Sequence, residues 1–252
     1  MKFSIVCPIK DEVDLIPRTL PSFYSVEPDE VILCLDKPAP RNVVAVIENI
    51  VNKLEVRNVT RILEVERNPN YRFHQAWVRR SGFRSARNDA ILTSDIDIVL
   101  DPKMKEFFKL LRGDVKIVSF AKFSATWHGA LAYLVQRFYT QRSFTGLYLF
   151  SRSAWLETED ESSVRKIPRG EDTHLHDSLT KLYRDVFVAN VKNMVVRPKE
   201  SIRYQFMMGW NRWRTRTPIW RAVTSGLLYY RPYMLVGYLD ARCRHAKPLW
   251  DT

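Results

Sequence analysis

Glycine is scarce in this chain, eight residues in 252. No two of them fall into GxGxxG, and GxxxxGK[ST] is absent, so neither the dinucleotide-binding turn nor the P-loop phosphate cradle is available. The nucleophile elbow GxSxG and the zinc motif HExxH are missing too. Cysteine is limited to Cys7, Cys34 and Cys243. Three distant thiols give no disulfide framework and no CxxC zinc site, which points to a reducing, cytoplasmic compartment. Long apolar runs are also lacking. The first, Phe3 to Ile9, is too short for a signal peptide and runs on into Asp11 and Glu12. The longest, Ala222 to Tyr230, stops at Arg231, short of the ~18–20 residues a membrane span needs. The expectation is a chain that can lie on a membrane without crossing it. No internal repeat or low-complexity tract stands out.

What is present is a foldable, basic chain. Apolar residues make up 46%, enough to bury a substantial core. The length suits one large domain, or one domain with an appendage. Forty Lys and Arg against 28 Asp and Glu give a net charge of +12, which suits an anionic partner: nucleotide phosphates, nucleic acid or acidic headgroups. The excess is concentrated in residues 201–252, which carry nine Lys/Arg and two Asp/Glu, together with ten of the 31 aromatics.

Residues 1–200 alternate short β-rich runs with helical patterns. Strands are expected at Phe3–Pro8, Glu30–Leu35, Thr60–Val65, Asp89–Thr93, Val115–Phe120, Gly146–Phe150 and Val186–Ala189. Helices are expected at Val13–Phe23, Val43–Val51, His74–Arg87, Lys103–Leu111, Trp127–Thr140 and Asp172–Tyr183. Such alternation predicts an α/β fold with a mostly parallel sheet, whose ligands sit at the carboxyl ends of the strands. From about Ser201, Trp, Tyr, Phe and Met interleave with Arg203, Arg212, Arg214, Arg216, Arg221 and Arg231. This reads as a separate C-terminal appendage over 201–252.

Three constellations can carry chemistry. Asp95-Ile96-Asp97 directly follows the run Ala90–Thr93. In an extended segment residues two apart face the same way, ~6.5–7 Å between Cα atoms, so both carboxylates can reach one hard divalent cation. The plainer reading is a polar turn before a helix opening at Asp101-Pro102. Gly170-Glu171-Asp172-Thr173 opens a helix whose apolar face holds Leu175, Leu179 and Leu182. Acidic residues there serve as caps, or one of them lines a cleft as a general base. Pro8-Ile9-Lys10-Asp11-Glu12 and Asp36 end the first two strands, beside the expected crevice, where polar residues are equally at home in solvated turns. Arg165, Lys166 and Arg169 form either a basic lid over a diphosphate or a solvated run. His174 and His176, two apart on a helix, cannot share one face as a zinc pair would.

Taken in order, these pieces resemble the family 2 glycosyltransferases. That family opens with an apolar strand ending in Pro and an acidic pair, here Ile5-Val6-Cys7-Pro8-Ile9-Lys10-Asp11-Glu12. A strand ending in Asp follows, here Val31 to Asp36. Arg79-Arg80-Ser81-Gly82 stands where the family has Arg-Asn-x-Gly, ahead of the Asp95-x-Asp97 motif. Thr145-Gly146-Leu147-Tyr148 and the Gly-Glu-Asp helix start complete the series, over roughly residues 3–190. The resemblance implies the GT-A fold, a Rossmann-like mixed sheet flanked by helices. It also implies inverting transfer of a sugar from a nucleotide-sugar donor, UDP- or GDP-linked, to a hydroxyl or phosphate acceptor. By the same resemblance Asp172 is the base, Asp95 and Asp97 hold Mn²⁺ or Mg²⁺, and Pro8, Lys10, Asp11, Glu12, Asp36, Arg79, Asp95 and Glu171 bind the donor.

The chain departs from the pattern at three places. Asp36 is followed by Lys-Pro-Ala-Pro rather than Asp-Gly-Ser, Arg80 replaces Asn, and Gly209-Trp210-Asn211-Arg212-Trp213 resembles the Gln-x-x-Arg-Trp of processive synthases without its Gln. A sugar nucleotidyltransferase is disfavoured, because residues 8–16 lack the Gly-rich triphosphate loop. A nucleic-acid binder using the Arg/Trp tail would leave the acidic constellations without a role. The tail is expected to form two short amphipathic pieces broken at Pro218, lying on the inner face of the cell membrane and bringing the cleft to a lipid-linked acceptor. Its alternative is to fold back and complete the acceptor side of the cleft.

Overall fold

The computed structural model describes residues 1–124, 133–134, 146–167, 171–196, 202–214, 217–228 and 232–246. The helix expected over Trp127–Thr140 lies almost wholly outside the described residues, as do Arg169, Gly170 and Arg216. Contacts divide the chain into two units, one of Met1–Lys122 with Gln136–Val196, the other of Phe123–Val135 with Arg197–Thr252.

The first unit is built on eight strands: β1 (Phe3–Ile9), β2 (Glu30–Asp36), β3 (Thr60–Val65), β4 (Ala90–Thr93), β5 (Ile98–Val99), β6 (Val115–Ser124), β7 (Tyr148–Ser151) and β8 (Arg184–Val195). Their order is β3-β2-β1-β4-β7-β6-β8-β5. The first four pair in parallel, whereas β7 is antiparallel to β4 and to β6, and β5 is antiparallel to β8. Parallel strands covered on both faces are nearly continuous apolar runs, as Phe3–Ile9 illustrates: every residue is buried, and Ser4, its one polar side chain, donates to Glu30.

Helices cover both faces. On one side α1 (Ile16–Tyr24), α2 (Arg41–Lys53) and a 3₁₀ segment (Pro102–Leu110) pack on Ile5, Cys7, Val31, Leu33, Leu35, Leu92 and Val118. On the other side α3 (His74–Ser85), α4 (Arg152–Thr158) and α6 (Glu171–Thr180) meet Val6, Ile32, Cys34, Ile91, Ile117, Tyr148 and Phe150. A short α5 (Glu161–Lys166) precedes α6. The seat of α3 explains Gly82: a Cβ there would stand 2.5 Å from Val6 Cγ1 and 2.6 Å from Cys34 Sγ. Only glycine lets the helix lie this close to β1 and β2.

Several expected boundaries shift. The first helix starts at Ile16 rather than Val13, after turns in which Val13 N–H bonds Asp11 O and Leu15 N–H bonds Glu12 O. Residues 102–110 wind as a 3₁₀ helix, capped by Asp101, whose Oδ1 accepts from Lys103 N–H at 3.0 Å. The last strand is far longer than Val186–Ala189. Strand β5 and helices α4 and α5 carry no strong apolar period and are additions to the sequence reading.

The second unit contains α7 (Ile202–Arg214), α8 (Ile219–Leu228) and α9 (Pro232–Cys243), with Pro218 between the first two. Helices α7 and α9 cross backbone against backbone. A Cβ on Gly209 would fall 1.9 Å from Met234 O, and one on Gly237 2.0 Å from Phe206 O. Trp210 Nε1 donates to Asp240 (2.9 Å), Trp213 Nε1 to Ala246 O (3.3 Å), and Tyr238 Oη to Thr217 O (2.8 Å). Trp210 and Trp213 therefore tie helices together instead of pointing outward. Among the described residues no helix is long and apolar enough to cross a membrane.

Candidate active site

The acidic residues singled out in the sequence collect at the carboxyl ends of the parallel strands. Asp95 and Asp97 follow β4, but not in extended backbone: the segment turns, with Ile98 N–H bonding Asp95 O at 3.2 Å. Same-face geometry from an extended chain therefore does not apply. Asp97 is 6% exposed and Asp95 is half-buried.

Arg79 organises this region. It is 2% exposed, on the inner side of α3. Its Nη1 donates to Thr93 Oγ1 at 2.8 Å and its Nη2 to Asp95 Oδ1 at 2.7 Å, while Glu171 Oε1 lies 3.3 Å from the same nitrogen. Burial alone would lower the guanidinium's hold on its proton, but Asp95, then Glu171 and Asp172, raise it above the ordinary value. Burial pushes the Glu171 carboxyl up, against the pull of Arg79, with Asp172 and Asp95 adding to the rise. The nearly complete burial of Arg79 gives it a supporting position, joining one carboxylate after β4 to another at the start of α6.

Asp172 is half-buried, at the second residue of α6, and its Oδ1 accepts from Thr173 N–H at 2.8 Å. Its other oxygen faces Gly146. A Cβ built on Gly146 would stand 3.3 Å from Asp172 Oδ2 and 3.5 Å from Asp95 Oδ2, with the glycine at φ +36°. One carboxylate oxygen after β4 and one from α6 thus flank the same small space, which a glycine leaves open.

The β1 and β2 ends are arranged differently. Pro8 is buried, while Lys10 and Asp11 are exposed. Glu12 Oε2 accepts from Lys10 N–H at 2.8 Å and from Asp11 N–H at 3.2 Å, so Glu12 holds the shape of this loop. Asp36 Oδ1 lies 3.2 Å from His74 Nε2, a partner the sequence reading did not name. The segment around Arg165 and Lys166 is tethered rather than loose. Arg165 pairs with Glu161 at 2.9 Å, its carbonyl accepts from Arg72 N–H at 2.9 Å, and Tyr71 Oη donates to Glu161 at 3.1 Å. Behind it Arg80 forms a buried ion pair with Glu159, whose other oxygen accepts from Trp155 Nε1 at 2.7 Å.

Sequence reasoning also missed a group beside Asp172. His176 Nε2 lies 2.8 Å from Asp185 Oδ2, and Ser119 Oγ bonds both Asp185 oxygens at 2.9 and 3.0 Å. No local motif marks these residues: Ser119 and Asp185 stand in strands of mixed polarity, and His176 in a largely polar helix.

Among the described residues no three His, Cys, Asp or Glu side chains form a ready ligand set for a metal. Asp95 Oδ1 accepts from Arg79, and the carboxylates of Asp95 and Asp97 are hard oxygen donors of the kind a divalent cation takes. Two carboxylates suit a cation that fills its remaining positions with diphosphate oxygens and water.

Acidic side chains gather over an α/β sheet that turns from parallel to antiparallel beside β4, and the fold is the GT-A fold of the glycosyltransferases it superposes on. The profile of glycosyl transferase family 2 matches residues 4–165, and the chain belongs to that family. No curated protein matches the chain. The solved structure of the mannosyltransferase PcManGT from Pyrobaculum calidifontis, in complex with GDP-Man and Mn²⁺, superposes with a TM-score of 0.63 at 16% identity. The match covers 97% of this chain and 75% of that one. TarS 1-349 from S. aureus gives 0.57 at 11% identity, covering 98% and 73%. The same protein in complex with UDP-GlcNAc gives 0.55 at 12%, covering 83% and 65%.

Proposed function

We propose that this glycosyltransferase moves a sugar from a nucleoside-diphosphate donor to an acceptor hydroxyl with inversion at the anomeric carbon. The observation that carries the reading is the convergence of Asp95 Oδ2 and Asp172 Oδ2 on the space in front of Gly146. Asp172 takes the proton of the acceptor hydroxyl as its oxygen forms the new bond to the anomeric carbon. The bond from that carbon to the donor phosphate breaks, and the nucleoside diphosphate leaves with the electron pair. Asp95 and Asp97 would hold Mn²⁺ or Mg²⁺, which when bound neutralises charge on the departing diphosphate. Arg79 keeps Asp95 and Glu171 in place, and the Pro8–Glu12 loop with Asp36 and His74 lies where the nucleoside is received. GDP-Man and Mn²⁺ on PcManGT, and UDP-GlcNAc on TarS, support a nucleotide-sugar donor. Thermal unfolding with UDP-, GDP- and dTDP-sugars, with and without Mn²⁺, tests the reading. One donor class should raise the midpoint, and more so with the cation. Indifference to every donor would overturn it.

The acceptor is proposed to be lipid-linked, with the enzyme peripheral on the cytoplasmic face of the cell membrane. Exposed apolar side chains of the second unit support this: Ile219, Trp220 and Leu227 on α8, and Tyr233, Val236 and Leu239 on α9. They occur in a segment with a large excess of arginine. Nucleic acid remains disfavoured, because it gives the buried carboxylate cluster nothing to do.

A further inference from the structure

We propose that His176 and Asp185 form a second anchor for α6, complementary to Arg79 and Glu171, and that the two anchors together fix the position of Asp172. This rests on the assignment of Asp172 as base and names a positioning residue for it. The geometry begins in the sheet. Thr93 on β4 lies opposite Tyr148 on β7, and Tyr148 lies opposite Ser119 on β6, so the three share one cross-strand row. Each end of the row reaches up to α6. Thr93 binds Arg79, which meets Glu171 at the first residue of the helix. Ser119 binds Asp185, which meets His176 one turn later. Asp172 sits between the two attachments. It is four residues before His176, so both project from the same side of the helix.

Tyr148 fills the middle of the row. Its ring lies 5.4 Å from the imidazole, and it is 3% exposed. Burial, reinforced by Asp172, Asp185 and Asp177, keeps the phenol protonated. The groups facing His176 are thus Asp185 on β8, Tyr148 on β7, and Asp177 on its own helix, the last with Oδ1 3.6 Å from Nδ1. Burial lowers the imidazole's hold on its proton, but Asp185 and Asp177 more than offset this, and the net shift is upward from 6.5. A group whose folded-state value is raised stabilises fully below its unfolded value and loses that contribution as pH climbs through the folded one. The anchor is therefore tightest in mild acid and slackens on the alkaline side.

Three variants test the anchor: His176→Ala, His176→Gln, which keeps an N–H donor in reach of Asp185, and Asp185→Asn. Amide exchange across residues 171–180 reads the helix directly and needs no substrate. His176→Ala and Asp185→Asn should speed exchange there about 10-fold while distant strands keep their protection, and His176→Gln should restore most of it. Nucleotide release from whichever sugar nucleotide the donor screen identifies reads the site. The alanine variant should lose about 10–100-fold in kcat with an unchanged donor KM, as expected for a displaced base. Wild-type kcat should fall on the alkaline side as His176 loses its proton, and that fall should be absent in His176→Gln. Unaltered exchange in both His176→Ala and Asp185→Asn, or equal loss of kcat and donor affinity, would overturn the anchor. A wild-type protein that releases no nucleotide counts against the transferase reading, and the exchange data then decide the anchor alone.

Discussion

Asp172 and Gly146 are best considered as a pair, because one supplies a carboxylate and the other the room in front of it. Exchanging Asp172 for asparagine keeps the shape and the bond from Thr173 N–H but removes the proton acceptor. A drop in kcat of about 10²–10⁴ is expected, with the donor-induced thermal shift preserved. Donor binding lost at constant kcat would assign the side chain to binding instead. At Gly146 alanine adds one methyl group between two carboxylates, at a φ of +36°. We expect a stability cost of about 1–2 kcal/mol and a much larger loss of turnover, measured side by side on one preparation. These residues were legible in the sequence because they stand in short motifs in a fixed order. His176, Asp185 and Ser119 were not, since no local motif marks them and they meet only where α6 packs beside β6 and β8. Nothing in the linear chain says that cross-strand pairing brings Ser119 level with Thr93.

Among the elements, α3 carries the heaviest demands. Its Gly82 touches β1 and β2, its Arg79 faces the carboxylates, and its Arg80 is paired in the interior with Glu159. Gly82→Ala forces Val6 or Cys34 aside, and overpacking of this kind costs about 1–3 kcal/mol in denaturant unfolding. Glu159→Ala leaves the Arg80 charge buried without its partner, a loss of about 3–5 kcal/mol. A change within error in either measurement would mean that α3 can shift on the sheet without penalty. The central parallel strands were readable because burial on both faces makes β1, β2 and β4 mostly apolar. Strand β5 has two residues and α4 is held largely by Ala154 and Trp155, too little for periodicity to register. The 3₁₀ winding after Asp101 is settled by a capping bond and by Asp101 Oδ2 accepting from Lys192 N–H, a contact 91 residues away.

For the whole molecule, the basic and aromatic second unit offers the clearest test. The full chain should co-sediment with vesicles containing anionic lipid at low salt, and release should be partial at high salt because apolar insertion is not screened. Replacing Trp220 and Leu227 by serine should weaken binding while leaving the Gly209–Gly237 crossing intact. Full retention in the supernatant would reassign these side chains to a protein contact. Composition set residues 201–252 apart in the sequence but gave no sign that Phe123–Val135 belongs to the same unit, and it could not tell which tryptophans point outward, because that depends on the crossing of α7 and α9. In the first unit, the tether of residues 159–167 to residues 71–84 has a consequence for the order of events. His74, beside Asp36, and residues 159–167 are stitched to the same helix, α3, whose Arg79 pairs with Glu171 next to Asp172. A ligand that tightens the Asp36 end should therefore be felt at Asp172, the proposed base. By thermodynamic reciprocity, any factor by which donor improves acceptor binding must equal the factor by which acceptor improves donor binding.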